Sequence, residues 1–241
     1  MDIKELLDIR VKKYKRSEFI ATDPICVPHR FARREDIEVA GLLTATLAWG
    51  RREQIIKSAN KLMGLMGWSP YEFVMHATEK DYRVFEGFAH RTFNASDSAG
   101  FCRMLKGIYK GEGLESVFIA ENLMDGVARY RKTAEVALEK RSLKHVPDVN
   151  GGSAAKRVFM FLRWMVRQDE VDFGLWKKIS PAQLYVPLDV HTGNVARKDG
   201  LMTRKFNDRK AVEELTRRLR EFCPLDPVKY DFALFGEGVN A

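Results

Sequence analysis

Two residues in this chain have the types and settings needed for proton transfer and covalent catalysis. Asp189 lies in PLDVHTGNVARKDGL (187–201), where Pro187 and the aspartate open a stretch of helical pattern that Gly200 closes. An aspartate in that place caps the helix by accepting from first-turn N–H groups. The same carboxylate can orient an amine, take its proton, or stabilise a developing oxocarbenium ion. Lys156 follows NGGSAAK (150–156) and falls in the first or second turn of a helix, beside Arg157. A helix N-terminus disfavours cations, and an uncharged amine is a nucleophile that forms Schiff bases with carbonyl carbons. Ahead of Lys156, the N–H groups of Gly151, Gly152 and Ser153 are expected to approach an anion such as a phosphate. Each feature also has a plain structural reading: a cap, a solvated lysine and an interhelix turn.

The rest of the composition narrows the chemistry. Cys26, Cys102 and Cys223 lie far apart, so neither a disulfide framework nor a CxxC metal pair is expected, and the four close cysteines of an iron–sulfur loop are missing. Neither GxxxxGK[ST] nor GxGxxG occurs. Catalysis without a protein-bound metal and without a cofactor is the expectation. The net charge of +8 favours a polyanionic partner. Arg51, Arg52, Arg197 and Lys198 are the expected phosphate contacts. The N-terminal MDIKELLDIRVKKYKR is charged from its second residue, and no apolar run reaches the roughly 20 residues that span a bilayer. A cytoplasmic protein is therefore expected.

These residues must be held by helices, because the apolar spacing is helical almost throughout. Asp36 is expected to cap a helix through AGLLTATLAWG that is apolar nearly all round, hence buried, and that Gly50 stops. Ile55, Ala59, Leu62, Met63 and Met66 mark the next helix, and Ser69 with Pro70 starts another. Residues 90–100 read as a loop, followed by helices at about 101–110, 115–123 and 126–141. KHVPDVNGGS (144–153) breaks the pattern. In the helix after it, Val158, Leu162, Met165 and Val166 form the apolar face, and Lys156, Arg163 and Arg167 lie opposite. Asn207 or Asp208 caps a helix that turns Val212, Leu215, Leu219 and Phe222 inward, and Asp226–Pro227 begins the last one. The fold class is all-α, with no alternating strand and no internal repeat.

Taken together, the order of a glycine hairpin, a lysine, a helix and LDVHTGNVARKDGL resembles the helix-hairpin-helix DNA glycosylase superfamily. That superfamily carries its catalytic aspartate in a VDTHVxRVxxRLGL-like segment. Leu188, Asp189, His191, Val195, Arg197 or Lys198, Gly200 and Leu201 follow that pattern. Upstream, EVAGLLTATLAWGRREQIIKSANKLM is similar to the superfamily's early helix pair, with Gly50 where a glutamine is usual. The hairpin departs from LPGVGRKTA, being VPDVNGGSAAK, and Asp189 follows Lys156 by 33 residues, a longer interval than usual. The long interval and the missing iron–sulfur loop resemble the archaeal 8-oxoguanine glycosylase branch. The whole chain also looks like a bacterial family of unknown function in this superfamily.

The resemblance implies one helical glycosylase-like unit over 1–241, with the hairpin and catalytic helices at about 144–205. Its two lobes, about 36–66 and 153–236, would face each other across a cleft. It implies a monomer on double-stranded, nucleoid-associated DNA. There Lys156 would attack the sugar of a damaged base, an oxidised purine in the nearest branch, and Asp189 would stabilise the charge and manage protons. Trp49, Trp164 and Phe235 would wall the base pocket, with Trp176 and Tyr230 as further aromatics. Two other readings compete: a catalytically silent DNA-binding protein of the same fold, and a Schiff-base lyase acting on a small molecule.

Overall fold

Apolar stretches at helical spacing, closed at their ends by short polar residues, fold as expected into helices. The structure, a computed structural model, describes residues 2–240. Its helices are α1 (Ile3–Tyr14), α2 (Glu18–Thr22), α3 (Arg34–Leu47), α4 (Arg52–Leu65), α5 (Pro70–His76), α6 (Ala95–Tyr109), α7 (Leu114–Phe118), α8 (Leu123–Ala137), α9 (Lys156–Val166), α10 (Val190–Lys198), α11 (Arg209–Phe222) and α12 (Asp231–Asn240). Short 3-10 turns link several of them. The chain divides into two compact units: Met1–Ile20 with Ala120–Met124 and Asp148–Ala241, and Ala21–Ile119 with Asp125–Pro147. Among the described residues no helix is long and apolar enough to cross a membrane.

In the first unit every residue of α9 from Val158 to Val166 is buried. The helix α12 packs against both α1 and α10. Close approach there depends on glycine. A Cβ at Gly236 would run into the Tyr14 ring, and one at Gly238 would lie 2.9 Å from the His191 carbonyl oxygen. The helix α11 buries Val212, Leu215 and Leu219 as its periodicity predicts, together with Ala211, while Phe222 at its C-terminal end is only partly buried. Asp208 rather than Asn207 is its cap, accepting from Ala211 N–H at 3.1 Å and gripped by the Arg204 guanidinium, whose Nε lies 2.6 Å away. The Arg204 hydrogen bond, helped by the backbone donors, pulls the Asp208 carboxyl down to about 2 from its ordinary 3.8. A lowered carboxyl stabilises the fold above its unfolded value and loses that contribution as pH falls through the folded one. Asp208→Ala is therefore expected to cost about 1 kcal/mol at neutral pH. Thermal melts should show the wild-type advantage shrinking between pH 3.8 and about 2.

In the second unit α3 is buried from Ile37 to Leu47, consistent with its all-round apolar sequence. It starts at Arg34, so Asp36 is not its cap. The Asp36 carboxylate instead accepts from Tyr71 N–H at 2.9 Å, in the first turn of α5. The buried Glu38 is satisfied by Arg34 and by the Tyr109 hydroxyl, each at 2.8 Å. Residues 90–100 are not a loop. Two short strands, β1 (Ala89–His90) and β2 (Phe93–Asn94), pair antiparallel, and α6 follows at once. Asn94 and Asp97 form a reciprocal capping box at its start, so residues that read as a polar break are the helix's first turn.

Candidate active site

Lys156 is the first residue of α9. Ala155, directly before it, has a left-handed backbone (φ 50), which sets the lysine's direction of departure from the turn. Asp189 is the N-cap of α10, with Oδ1 accepting from Thr192 N–H at 3.0 Å. Its other oxygen, Oδ2, lies 3.8 Å from the Lys156 Nζ, and both side chains are partly exposed. The cap is held firmly from the far side. The Asp189 carbonyl accepts from Gly193 N–H at 2.9 Å and from Asn207 Nδ2 at 3.0 Å. One carboxylate thus caps a helix with one oxygen and faces an amine with the other.

Arg163 and Arg167, on the face of α9 opposite its apolar stripe, are not solvated. Both are buried. Arg163 pairs with Asp231 at 2.5 Å and Asp172 at 3.3 Å. Arg167 pairs with Asp172, with Asp169 at 2.9 Å and with Asp226 at 2.8 Å. Asp231 is the first residue of α12, and its Oδ1 is buried with no hydrogen-bond partner among the described residues. Burial pushes its carboxyl up and Arg163 pulls it down; the charges of Asp189 and Lys156 act on it as well. Neither Asp231 nor the buried state of Arg163 was visible in the sequence, where an ionic group reads as an outward one.

The glycine turn is more self-contained than its composition suggests. Gly151 N–H donates to Asp148 Oδ1 at 2.9 Å, Gly152 N–H to the Val149 carbonyl at 3.2 Å, and Ser153 N–H to the Asp148 carbonyl at 2.9 Å. The three N–H groups expected to cradle an anion are therefore closed within the turn. The turn is also docked on α11, where Arg209 N–H donates to the Gly152 carbonyl at 2.9 Å. A surface cleft of about 370 Å³ runs beside it, with Arg204, Arg209 and Lys210 among its lining residues.

The remaining expected site residues fall in several settings. Arg197 is partly buried and binds within the chain, to the Arg204 carbonyl at 2.8 Å and Asn207 Oδ1 at 2.5 Å. Lys198, on the last turn of α10, is exposed. Trp164 is fully buried in the core, and Phe235 is partly buried with its ring edge-on to Phe19 at 6.4 Å. Trp49, Arg51 and Arg52 belong to the second unit, in the α3–α4 connection and the start of α4. Among the described residues, no cluster of His, Cys, Asp or Glu is arranged to hold a metal ion.

Residues 23–240 match the model of the family described as "Protein of unknown function (DUF2400)", and the chain belongs to that family. No curated protein and no solved structure gives a significant match.

Proposed function

We propose that this member of the DUF2400 family is a DNA base-excision glycosylase with AP-lyase activity, built on a helix-hairpin-helix plan and using Lys156 as nucleophile. The observation that carries the reading is the 3.8 Å approach of the Lys156 amine to the Asp189 carboxylate, across 33 residues of sequence. The order of the glycine turn, the lysine and the aspartate-capped helix supports it, as does the net charge of +8.

The chemistry follows from the pair. The damaged nucleotide leaves the stack, as it must for any enzyme that acts on the base itself. The Lys156 nitrogen lone pair forms a bond to C1′, and the C1′–base bond breaks with its electrons leaving on the base, which takes a proton. Asp189 accepts the proton that the attacking amine sheds, and its negative charge stabilises the cationic sugar in the transition state. Ring opening moves a proton to O4′ and leaves a C1′=N Schiff base. Loss of a C2′ proton then expels the 3′ phosphate by β-elimination, and water releases the lysine.

Borohydride tests this directly, since it reduces the C=N bond to a stable amine. Duplex DNA containing an abasic or damaged site should become covalently attached to the protein. DNA binding without an adduct would favour the silent DNA-binding protein, and neither result would favour a small-molecule lyase. Binding itself is expected to depend strongly on salt. If about four phosphates are contacted, log K should fall with log salt at a slope of about −3 to −4. Charge reversal at Arg51 and Arg52 should weaken binding to all sequences alike, and a slope near zero in a salt titration would count against DNA.

A further inference from the structure

In the second unit, several local constraints act together to present one aromatic ring to solvent. The helix α3 ends at Leu47, and Ala48 (φ −71, ψ 65) bends the chain so that Trp49 N–H donates to the Leu47 carbonyl at 2.6 Å. This is the inverse γ-turn geometry that commonly opens a loop. The indole that follows is 51% exposed. The Trp49 carbonyl lies 3.3 Å from Nε2 of buried His90, whose Nδ1 meets Ser58 Oγ at 2.9 Å. At the tip of the β1–β2 hairpin Arg91 adopts φ 53, a left-handed conformation that residues with side chains seldom take. Its guanidinium lies 5.0 Å from the centre of the Trp49 ring. Gly50, at φ +115, makes the approach possible, because a Cβ there would lie 2.6 Å from Arg91 Nε.

A two-residue hairpin turn requires this conformation at its first central residue, and it fixes where the Arg91 side chain leaves the hairpin. The setting is cationic: residues 49–61 carry Arg51, Arg52, Lys57 and Lys61 against a single acid, Glu53. A second exposed tryptophan provides a contrast. Trp68 also lies under an arginine, Arg30, but that guanidinium is hydrogen-bonded to Asn60 at 2.8 Å and the indole packs on Phe31 at 6.1 Å. The left-handed backbone of Trp68 closes the end of α4, its N–H donating to the Met63 carbonyl at 3.0 Å. Trp68 therefore has a structural role. Trp49 meets Arg91 and, among the described residues, no other ring.

We propose that Trp49, with Arg91 laid against it, is a stacking platform for an unpaired nucleobase, and that Arg51 and its neighbouring cations meet the flanking phosphates. An indole face accepts any base, and an adjacent guanidinium adds a cation–π contribution and a phosphate partner. The platform rests on the reading of nucleic acid as partner. It does not rest on the chemistry of Lys156, and of the aromatics expected at a base pocket it assigns the stacking role to the exposed Trp49 rather than to the buried Trp164.

The test is equilibrium binding, by fluorescence anisotropy, of a labelled duplex with one bulged nucleotide and of its fully paired counterpart. Trp49→Ala is expected to weaken binding of the bulged duplex by about tenfold or more, the size of one base–aromatic stack, and of the paired duplex by less than about twofold. Trp49→Phe should keep affinity for the bulge within about threefold of wild type. Arg91→Ala should weaken it measurably, and Trp68→Ala should change neither duplex. Undiminished binding of the bulge by Trp49→Ala would overturn the platform alone, as would equal losses on both duplexes or an equal effect of Trp68→Ala. A wild-type protein that binds neither duplex would overturn both the platform and the nucleic-acid reading.

Discussion

Asp189→Asn is expected to leave the fold nearly intact and to lower base-excision activity by about two orders of magnitude or more. The asparagine oxygen can still accept from Thr192 N–H, as Asp189 Oδ1 does at 3.0 Å, so the cost in stability should stay under about 1 kcal/mol. What disappears is the charge on the oxygen that faces Lys156 at 3.8 Å, and with it both the proton acceptor and the stabiliser of the cationic sugar. Asp189→Ala removes the cap too and should cost about 1 kcal/mol in addition to activity. Single-turnover rates and denaturant melts on the two variants separate the roles. A residue that only capped α10 would leave the asparagine variant active.

Arg163→Met is expected to have the largest effect on stability, about 3–5 kcal/mol, because it strands one buried carboxylate and weakens the hold on a second. Asp231 would lose its 2.5 Å partner, and Asp172 one of the two arginines that hold it. Burial pushes the Asp172 carboxyl up to about 6 and raises that of Asp231, against the pull of the guanidiniums. Raised carboxyls favour the folded state most below their unfolded value near 3.8, and that contribution is lost as pH rises through about 6. Without Arg163 the carboxyls should be displaced further in the same direction. The deficit of the variant should accordingly be greatest at neutral pH and shrink as pH falls, because a protonated carboxyl no longer needs the cation. A deficit that is independent of pH would mean that lost packing, including the guanidinium's contact with the Phe232 ring at 4.5 Å, outweighs the lost charge.

The sequence was most informative where one residue's local chemistry decides the structure. Asp189 reads as a cap because a short carboxylate before a helical stretch has few better uses, and the structure has it accepting from Thr192 N–H. Lys156 reads as the start of a helix because two glycines precede it, and α9 begins there. The reading failed where distant parts of the chain settle a residue's environment. Arg163 and Arg167 repeat at helical spacing on a charged face, but aspartates from 169 to 231 converge on that face and bury it. Arg197 lies in the motif as a phosphate ligand would, and its bonds to Asn207 and to the Arg204 carbonyl are contacts that the motif itself does not display. Asn94 and Asp97 were missed for a different, local reason: the capping-box spacing stands in the sequence but is surrounded by polar residues that read as a loop. Trp49 was legible as a candidate wall of a base pocket, but not as an exposed ring beside Arg91.

The most direct test of the central claim is to map the adduct. The protein is incubated with abasic-site duplex DNA and borohydride, digested with protease and nuclease, and sequenced by tandem mass spectrometry. The account predicts a reduced sugar remnant on Lys156 in the wild type, and no trapped product in Lys156→Gln, which still binds the duplex. An adduct located on another lysine, or trapping that persists at wild-type level in Lys156→Gln, would contradict it.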